Sequence, residues 1–162
     1  MKYWTIKANN EKGNSLKTSI EAETEIKAKE KFLLEWDEYF MAIALLVSKR
    51  SSCHRLHVGC ILVQNNRIIS SGYNGHLPNT KHRSVIRNNH EQMTVHAEVN
   101  SIIDCAKRNI STNNSIAYVT HYPCLNCFKC LVSGGIKKII YNENYKNDPL
   151  VKELSDELNI VI

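Results

Sequence analysis

The stretch IKKIIYNENYKNDPLVKELSDELNIVI, residues 136–162, decides how the sheet is built. Ile136 to Tyr141 is a compact apolar run of strand type, Asp148-Pro149 opens a helix to about Leu158, and Asn159 to Ile162 gives a second short strand. Two neighbouring strands joined through a helix run parallel, because antiparallel neighbours need only a short turn. Working back, Ile116 to His121 is a strand and Cys124 to Val132 a helix ended by Gly134-Gly135, with Pro123 where proline is tolerated at a helix start. Val58 to Val63 and Arg67 to Gly72 form an antiparallel hairpin around Gln64-Asn65-Asn66. The sum is an α/β chain: a mixed five-stranded sheet flanked by helices, the last two strands parallel.

Between the hairpin and the next helix lies a loop from Tyr73 to about Met93, punctuated by Gly, Asn and Pro. It ends where Val95, Val99, Ile102, Ile103 and Ala106 mark one apolar helix face, with His96 in the first turn. Upstream, Thr24 to Arg50 has helical composition, with a break near Asp37; the apolar run Phe40 to Val47 reads as a buried core helix, far too short for a bilayer. Lys2 to Ala8 and Leu16 to Ala22 flank a turn-rich segment and read as a β-hairpin. Residues 1–30 are therefore an appendage leading into a helix, and residues 31–162 form the main domain.

The chemistry is carried by His96-Ala97-Glu98 and Pro123-Cys124-Leu125-Asn126-Cys127. One imidazole and two thiolates make a three-ligand zinc set that leaves the fourth tetrahedral position to water, as in catalytic zinc sites. Both ligand blocks fall at helix starts, where the positive end of the helix dipole favours thiolate. Glu98 is not needed as a ligand. A carboxylate so placed can take a proton from an activated water and pass it to a leaving amine. The bland alternative is a closed structural site with a fourth protein ligand, but such sites usually present two ligand pairs and give Glu98 no role.

At 162 residues the chain fits one domain with a single sizeable core and no room for a second. Cys124, Cys127 and Cys130 cluster within seven residues and no secretory pattern opens the sequence, which points to a reducing, cytoplasmic setting without membrane association. Cys130 reads as a core thiol on its helix. The formal charge of +5 suits a phosphorylated substrate, although basic residues on a solvated surface explain it equally. No aromatic-plus-basic cluster of the kind that stacks successive bases is visible, which argues against a nucleic-acid partner.

From about Trp36 to Ile162 the chain resembles the cytidine and deoxycytidylate deaminase superfamily, and within it the deoxycytidylate deaminases. The H-x-E and P-C-x-x-C pairing is itself the known signature of zinc nucleobase deaminases. Further blocks are Ser51-Ser52-Cys53-His54-Arg55-Leu56-His57-Val58-Gly59, Ile68-Ile69-Ser70-Ser71-Gly72-Tyr73-Asn74-Gly75 and the cysteine block continuing to Lys138. The resemblance implies a three-layer cytidine deaminase-like fold for residues 31–162 and hydrolysis of dCMP to dUMP and ammonia, with one catalytic Zn2+. His96, Cys124 and Cys127 would hold the metal, and Glu98 would carry the proton between water, ring N3 and the departing amine. It also implies that Asn74 contacts the sugar, that Arg55 meets the 5′-phosphate, and that Tyr145 lies near the substrate.

Many relatives carry a second, structural zinc, for which Cys53, His82 and His90 stand in the matching places, with Cys60, His54, His57 or Glu91 as further donors. Deoxycytidylate deaminases are commonly hexamers that respond to dCTP and dTTP. The resemblance therefore implies a homo-oligomer, hexameric or dimeric, and an effector site involving Gly72, Tyr73, Gly75 and Lys107. His121-Tyr122 before the Pro-Cys pair departs from the common small residue and would change the pocket wall. Rival readings are a deaminase of another cytosine or adenine substrate (dCTP, a nucleoside, or an RNA or single-stranded DNA base) and a catalytically silent zinc-fold protein that binds nucleotides. Retention of Glu98 beside a full ligand set argues against the silent protein.

Overall fold

The computed structural model describes residues 34–87 and 90–162. The expected N-terminal hairpin, and with it the proposed appendage of residues 1–30, lies outside the described residues. The elements from residue 36 onward are α1 (Trp36–Ser48), β1 (Gly59–Gln64), β2 (Arg67–Tyr73), β3 (Gly75–His76), β4 (Ile86–Arg87), β5 (His90–Glu91) and β6 (Thr94–Val95). There follow α2 (Ala97–Lys107), β7 (Ile116–His121), α3 (Leu125–Ser133), β8 (Lys138–Glu143) and α4 (Pro149–Glu157). The main sheet has the order β2-β1-β7-β8. β1 pairs antiparallel with β2 and with β7, and β7 pairs parallel with β8.

The alternation of β1 builds the layers. Cys60 and Leu62 join the core under α2, α3 and α4, together with Ala117, Val119, Phe128 and Leu131. Ile61 and Val63, pointing the other way, pack with Tyr118 against Phe40 and Ala44 of α1. Strand residues of opposite parity face opposite sides, so a central strand covered on both reads as an unbroken apolar run. Two glycines let the helices approach. A Cβ on Gly59 would sit 2.2 Å from the Ala44 carbonyl of α1, and one on Gly72 would sit 2.4 Å from the Ala97 carbonyl of α2. The β1–β2 turn uses Asn65 and Asn66 at φ 51° and 56°, a left-handed conformation that asparagine tolerates and tight hairpins require.

Three expectations change here. The fifth strand is a single parallel bridge, Lys138 to Val161, secured by Ile139 N–H donating to the Val161 carbonyl at 2.8 Å. Asn159 (φ 53°) is still turning out of α4 and Ile160 N–H donates back to Ser155, so the strand is cut to that one contact. Cys130 is exposed, because Phe128 and Leu131 take the inward face of α3. α1 is only half covered: Phe40 and Ala44 are buried, whereas Trp36, Tyr39 and Leu46 are exposed.

The loop ahead of α2 is held by a carboxylate. Glu91 accepts from the Ser84 hydroxyl and from the backbone N–H groups of Val85 (3.0 Å) and Met93 (2.9 Å), and Gln92 N–H donates to the Val85 carbonyl. These donors, the Ser84 hydroxyl first, hold the Glu91 carboxyl down at about 2. A depressed carboxyl stabilises the fold above its ordinary value near 4.5 and loses that contribution as pH falls toward 2. Protection of the Val85 and Met93 amides, taken against the intrinsic exchange rate at each pH, is expected to fall across that acid window, and Glu91→Ala should show the low protection already at pH 7. Unchanged protection in the variant would mean that something else closes the loop.

Candidate active site

Two helix starts converge on the site. His96 caps α2 and Cys124 caps α3, each in extended backbone conformation (ψ 152° and 161°). Their carbonyls accept the first helical bonds, from Asn100 and Phe128, while the imidazole and the thiol are left for the site. Cys127, three residues into α3, lies on the same face as Cys124. His96 Nδ1 is 3.3 Å from Cys127 Sγ and 3.7 Å from Cys124 Sγ, and the three donor atoms all lie within 4.8 Å of one another. Tetrahedral zinc at ordinary bond lengths sets such nitrogen and sulfur ligands about 3.6 Å apart. The donor set therefore fits zinc in both type and spacing.

The protonation of this set points the same way. The Cys124 thiol is pulled down to about 3, first by its bond with Cys127 and then by His96. The Cys127 thiol is pushed up, first by Cys124 and then by burial. The pair shares one negative charge until a cation balances a second. Glu98, in the first turn of α2, is 4% exposed, and burial raises its carboxyl above the usual range against the pull of its own backbone N–H and of His96. A buried carboxyl bonded to the Cys127 thiol, beside the metal cradle, is matched to proton transfer.

The cradle opens into a cavity of about 740 Å³ lined by Glu98, Asn74, Arg55 and Tyr145 among others. Arg55 Nη2 donates to the Tyr145 hydroxyl at 3.2 Å, so two residues ninety positions apart meet as one group. Asn74 is buried: its Oδ1 accepts from Val58 N–H (2.8 Å) and the Ser51 hydroxyl (2.7 Å), and its Nδ2 donates to the Leu56 carbonyl (2.7 Å). It fastens the 51–58 segment to the end of β2 whatever else it touches.

Cys53, His82 and His90 are not brought together. Among the described residues, only His96, Cys124 and Cys127 form a three-donor metal group. Cys53 and His90 line the cavity, whereas His82 stacks on His76 at 4.4 Å between ring centroids. The same loop carries the Glu91 staple and His76, which bonds Ser52 Oγ through Nδ1 and the Arg83 carbonyl through Nε2. Gly72, Tyr73, Gly75 and Lys107 do not line the cavity; the Tyr73 carbonyl accepts from Asn100 Nδ2, and Lys107 is exposed in the last turn of α2. Sequence reasoning missed Arg87 and Lys146, which add basic groups to the wall from a two-residue strand and a loop with no periodic signal.

A His–Cys–Cys cradle at two helix starts, with a buried glutamate beside it and a three-layer α/β scaffold behind, defines a zinc-dependent hydrolytic deaminase. The family description "Cytidine and deoxycytidylate deaminase zinc-binding region" matches residues 34–143, and the chain belongs to this family. ComE operon protein 2 of Bacillus subtilis (strain 168) is 38% identical over 133 residues, covering 80% of this chain and 70% of that protein. Deoxycytidylate deaminase of Saccharomyces cerevisiae is 34% identical over 123 residues, 70% of this chain but only 39% of the yeast protein. Among solved structures, dCMP deaminase of cyanophage S-TIM5 in complex with dCMP and dUMP is 29% identical with TM-score 0.69, covering 76% of this chain and 92% of that one. No described helix is long and apolar enough to cross a membrane.

Proposed function

We propose that this chain converts dCMP to dUMP and ammonia by zinc-dependent hydrolysis. The observation that carries the reading is the buried Glu98 carboxyl beside the metal cradle, in the same cavity as the Arg55–Tyr145 pair. One end of the cavity chemistry suits an aminopyrimidine and the other suits an anion. The relatives named deoxycytidylate deaminase, and the cyanophage enzyme crystallised with dCMP and dUMP, support that substrate.

Zinc held by His96, Cys124 and Cys127 would supply Lewis acidity and lower the pKa of water at its open position. Glu98 accepts the proton of the attacking water, delivers it to ring N3, and passes a second to the 4-amino group as the C4–N bond breaks and ammonia leaves. Burial serves this cycle: a carboxyl raised above the usual range is a stronger base toward the attacking water and holds the proton it accepts until the ring takes it. Asn74, already fixed by three neighbours, presents a rigid wall to the sugar. A homo-oligomeric, cytoplasmic enzyme responding to dCTP and dTTP completes the proposal; six free thiols support a reducing compartment.

Ammonia release from cytidine, deoxycytidine, dCMP, dCTP and a cytosine-containing oligonucleotide tests the substrate. dCMP should lead by kcat/KM; preference for the oligonucleotide would replace the proposal with base editing. Arg55→Ala tests the phosphate end. A charge-assisted bond to phosphate contributes roughly 1.5–3 kcal/mol, so kcat/KM for dCMP should fall about ten- to a hundredfold, while deoxycytidine turnover barely changes. Equal losses on both substrates would assign Arg55 to the fold instead.

A further inference from the structure

The wall carrying Tyr145 meets the sheet through one histidine, His121, which closes β7. Thr120 is buried and its Oγ1 accepts from Gly59 N–H at 3.1 Å. The same hydroxyl is hydrogen-bonded to His121 Nδ1, 2.9 Å away. His121 Nε2 lies 3.3 Å from Glu143 Oε2, so the imidazole and the carboxylate are close charge partners. Glu143 is also the parallel-register partner of His121, and its carbonyl accepts from Tyr122 N–H at 2.8 Å. The imidazole then meets the Tyr145 ring edge to face, 5.9 Å between centroids at 87°. The chain of contacts runs from β1 backbone through Thr120 to His121, which touches both Glu143 and Tyr145, the residue that accepts from Arg55.

We infer that His121 is a positioning residue for the phosphate end of the cavity: by holding Glu143 and the face of Tyr145, it sets where the Tyr145 hydroxyl meets the Arg55 guanidinium. Both His121 and Tyr145 line the cavity. Tyr145 sits on an exposed stretch running out of β8: Asn142, Glu143, Asn144 and Lys146 are exposed, Tyr145 N–H donates to Asn147 Oδ1 at 3.0 Å, Asn147 Nδ2 donates to Asn144 Oδ1 at 2.8 Å, and Lys146 stands at φ 46° with its Nζ 5.5 Å from the Tyr145 ring centroid. A clamp residue on such a segment acts through its anchor. Loss of the anchor weakens binding of the phosphate, a contact made equally in ground and transition states, so KM should respond and kcat should not. The inference rests on the proposal that Arg55 meets the 5′-phosphate.

The two ring nitrogens can be separated by substitution. His121→Gln places an amide N–H near the Nε2 position and keeps a donor for Glu143, whereas His121→Asn can accept from Thr120 but falls short of Glu143. With dCMP, His121→Asn should raise KM about tenfold with kcat within about twofold of wild type, and His121→Gln should stay within about threefold on both. Glu143→Ala, at an exposed side chain the fold tolerates, should reproduce the KM increase independently. Zinc content should stay at the wild-type level in all three. Unchanged KM in His121→Asn and Glu143→Ala, a kcat loss equal to the KM change, or loss of zinc would each overturn the assignment. Arg55→Ala measured alongside separates the two ideas: if it too spares dCMP, the phosphate proposal fails; if it alone raises KM, only the role of His121 does.

Discussion

Glu98→Ala is expected to bind one zinc per cradle like the wild type and to lose about a hundred- to ten-thousandfold in kcat on dCMP, the range that a positioned proton carrier contributes. The separation follows from the geometry. The three donors converge through His96 Nδ1 and two sulfurs, so removing the carboxylate leaves the metal group whole. Glu98→Gln keeps the shape and the polar contact of this 4% exposed side chain but cannot accept and release a proton, so it should be as inactive as Ala and closer to wild type in stability. Turnover within tenfold of wild type in the glutamine variant would remove Glu98 from the chemistry. Loss of zinc in both variants would recast it as a support for the cradle.

Much of this site is visible in the sequence because its parts are local. His96 and Glu98 are two residues apart, Cys124 and Cys127 three, and each pair sits at the start of a periodic apolar run, so spacing alone puts the donors at helix starts. The β1 strand is equally plain: a covered central strand has to be apolar on both faces, and Ile61 and Leu62 point to different layers. What spacing cannot give is convergence. Arg55 and Tyr145 enter the sequence reading through family resemblance alone; their meeting depends on β7 and β8 lying side by side. His121 shows itself only as a departure from the common pattern, since its partners Thr120, Glu143 and Tyr145 come from two strands and a loop. The polar loop before α2 is ambiguous for a physical reason. Histidines, a cysteine and a glutamate suit a metal staple and a hydrogen-bonded one alike, and Glu91 with three donors supplies the second. Cys130 misleads because apolar composition on a short helix does not say which face turns inward.

Cys124→Ala and His96→Ala should lose zinc and activity together, in contrast to Glu98→Ala. Three protein donors are the minimum for an open catalytic site, and removing one leaves two donors that water must supplement, with affinity falling steeply. The effect on the fold should be smaller than the effect on function. α3 is held under the sheet by Phe128 and Leu131, both essentially fully buried, and α2 by Ala97 and Cys105; none of these touches the metal through its side chain. Zinc stabilises the native state in proportion to the logarithm of its free concentration over its Kd, so the variants should melt lower than zinc-loaded wild type and near wild type stripped by a chelator. Metal analysis, ammonia release and thermal melting on the same samples check this. Full zinc in Cys124→Ala would move the ligand assignment elsewhere, and an unfolded His96→Ala would show that the metal organises the domain as well as its chemistry. Zinc added back to the stripped wild type should restore turnover, and should fail to do so in Cys124→Ala, because there the missing part is a donor and not the ion.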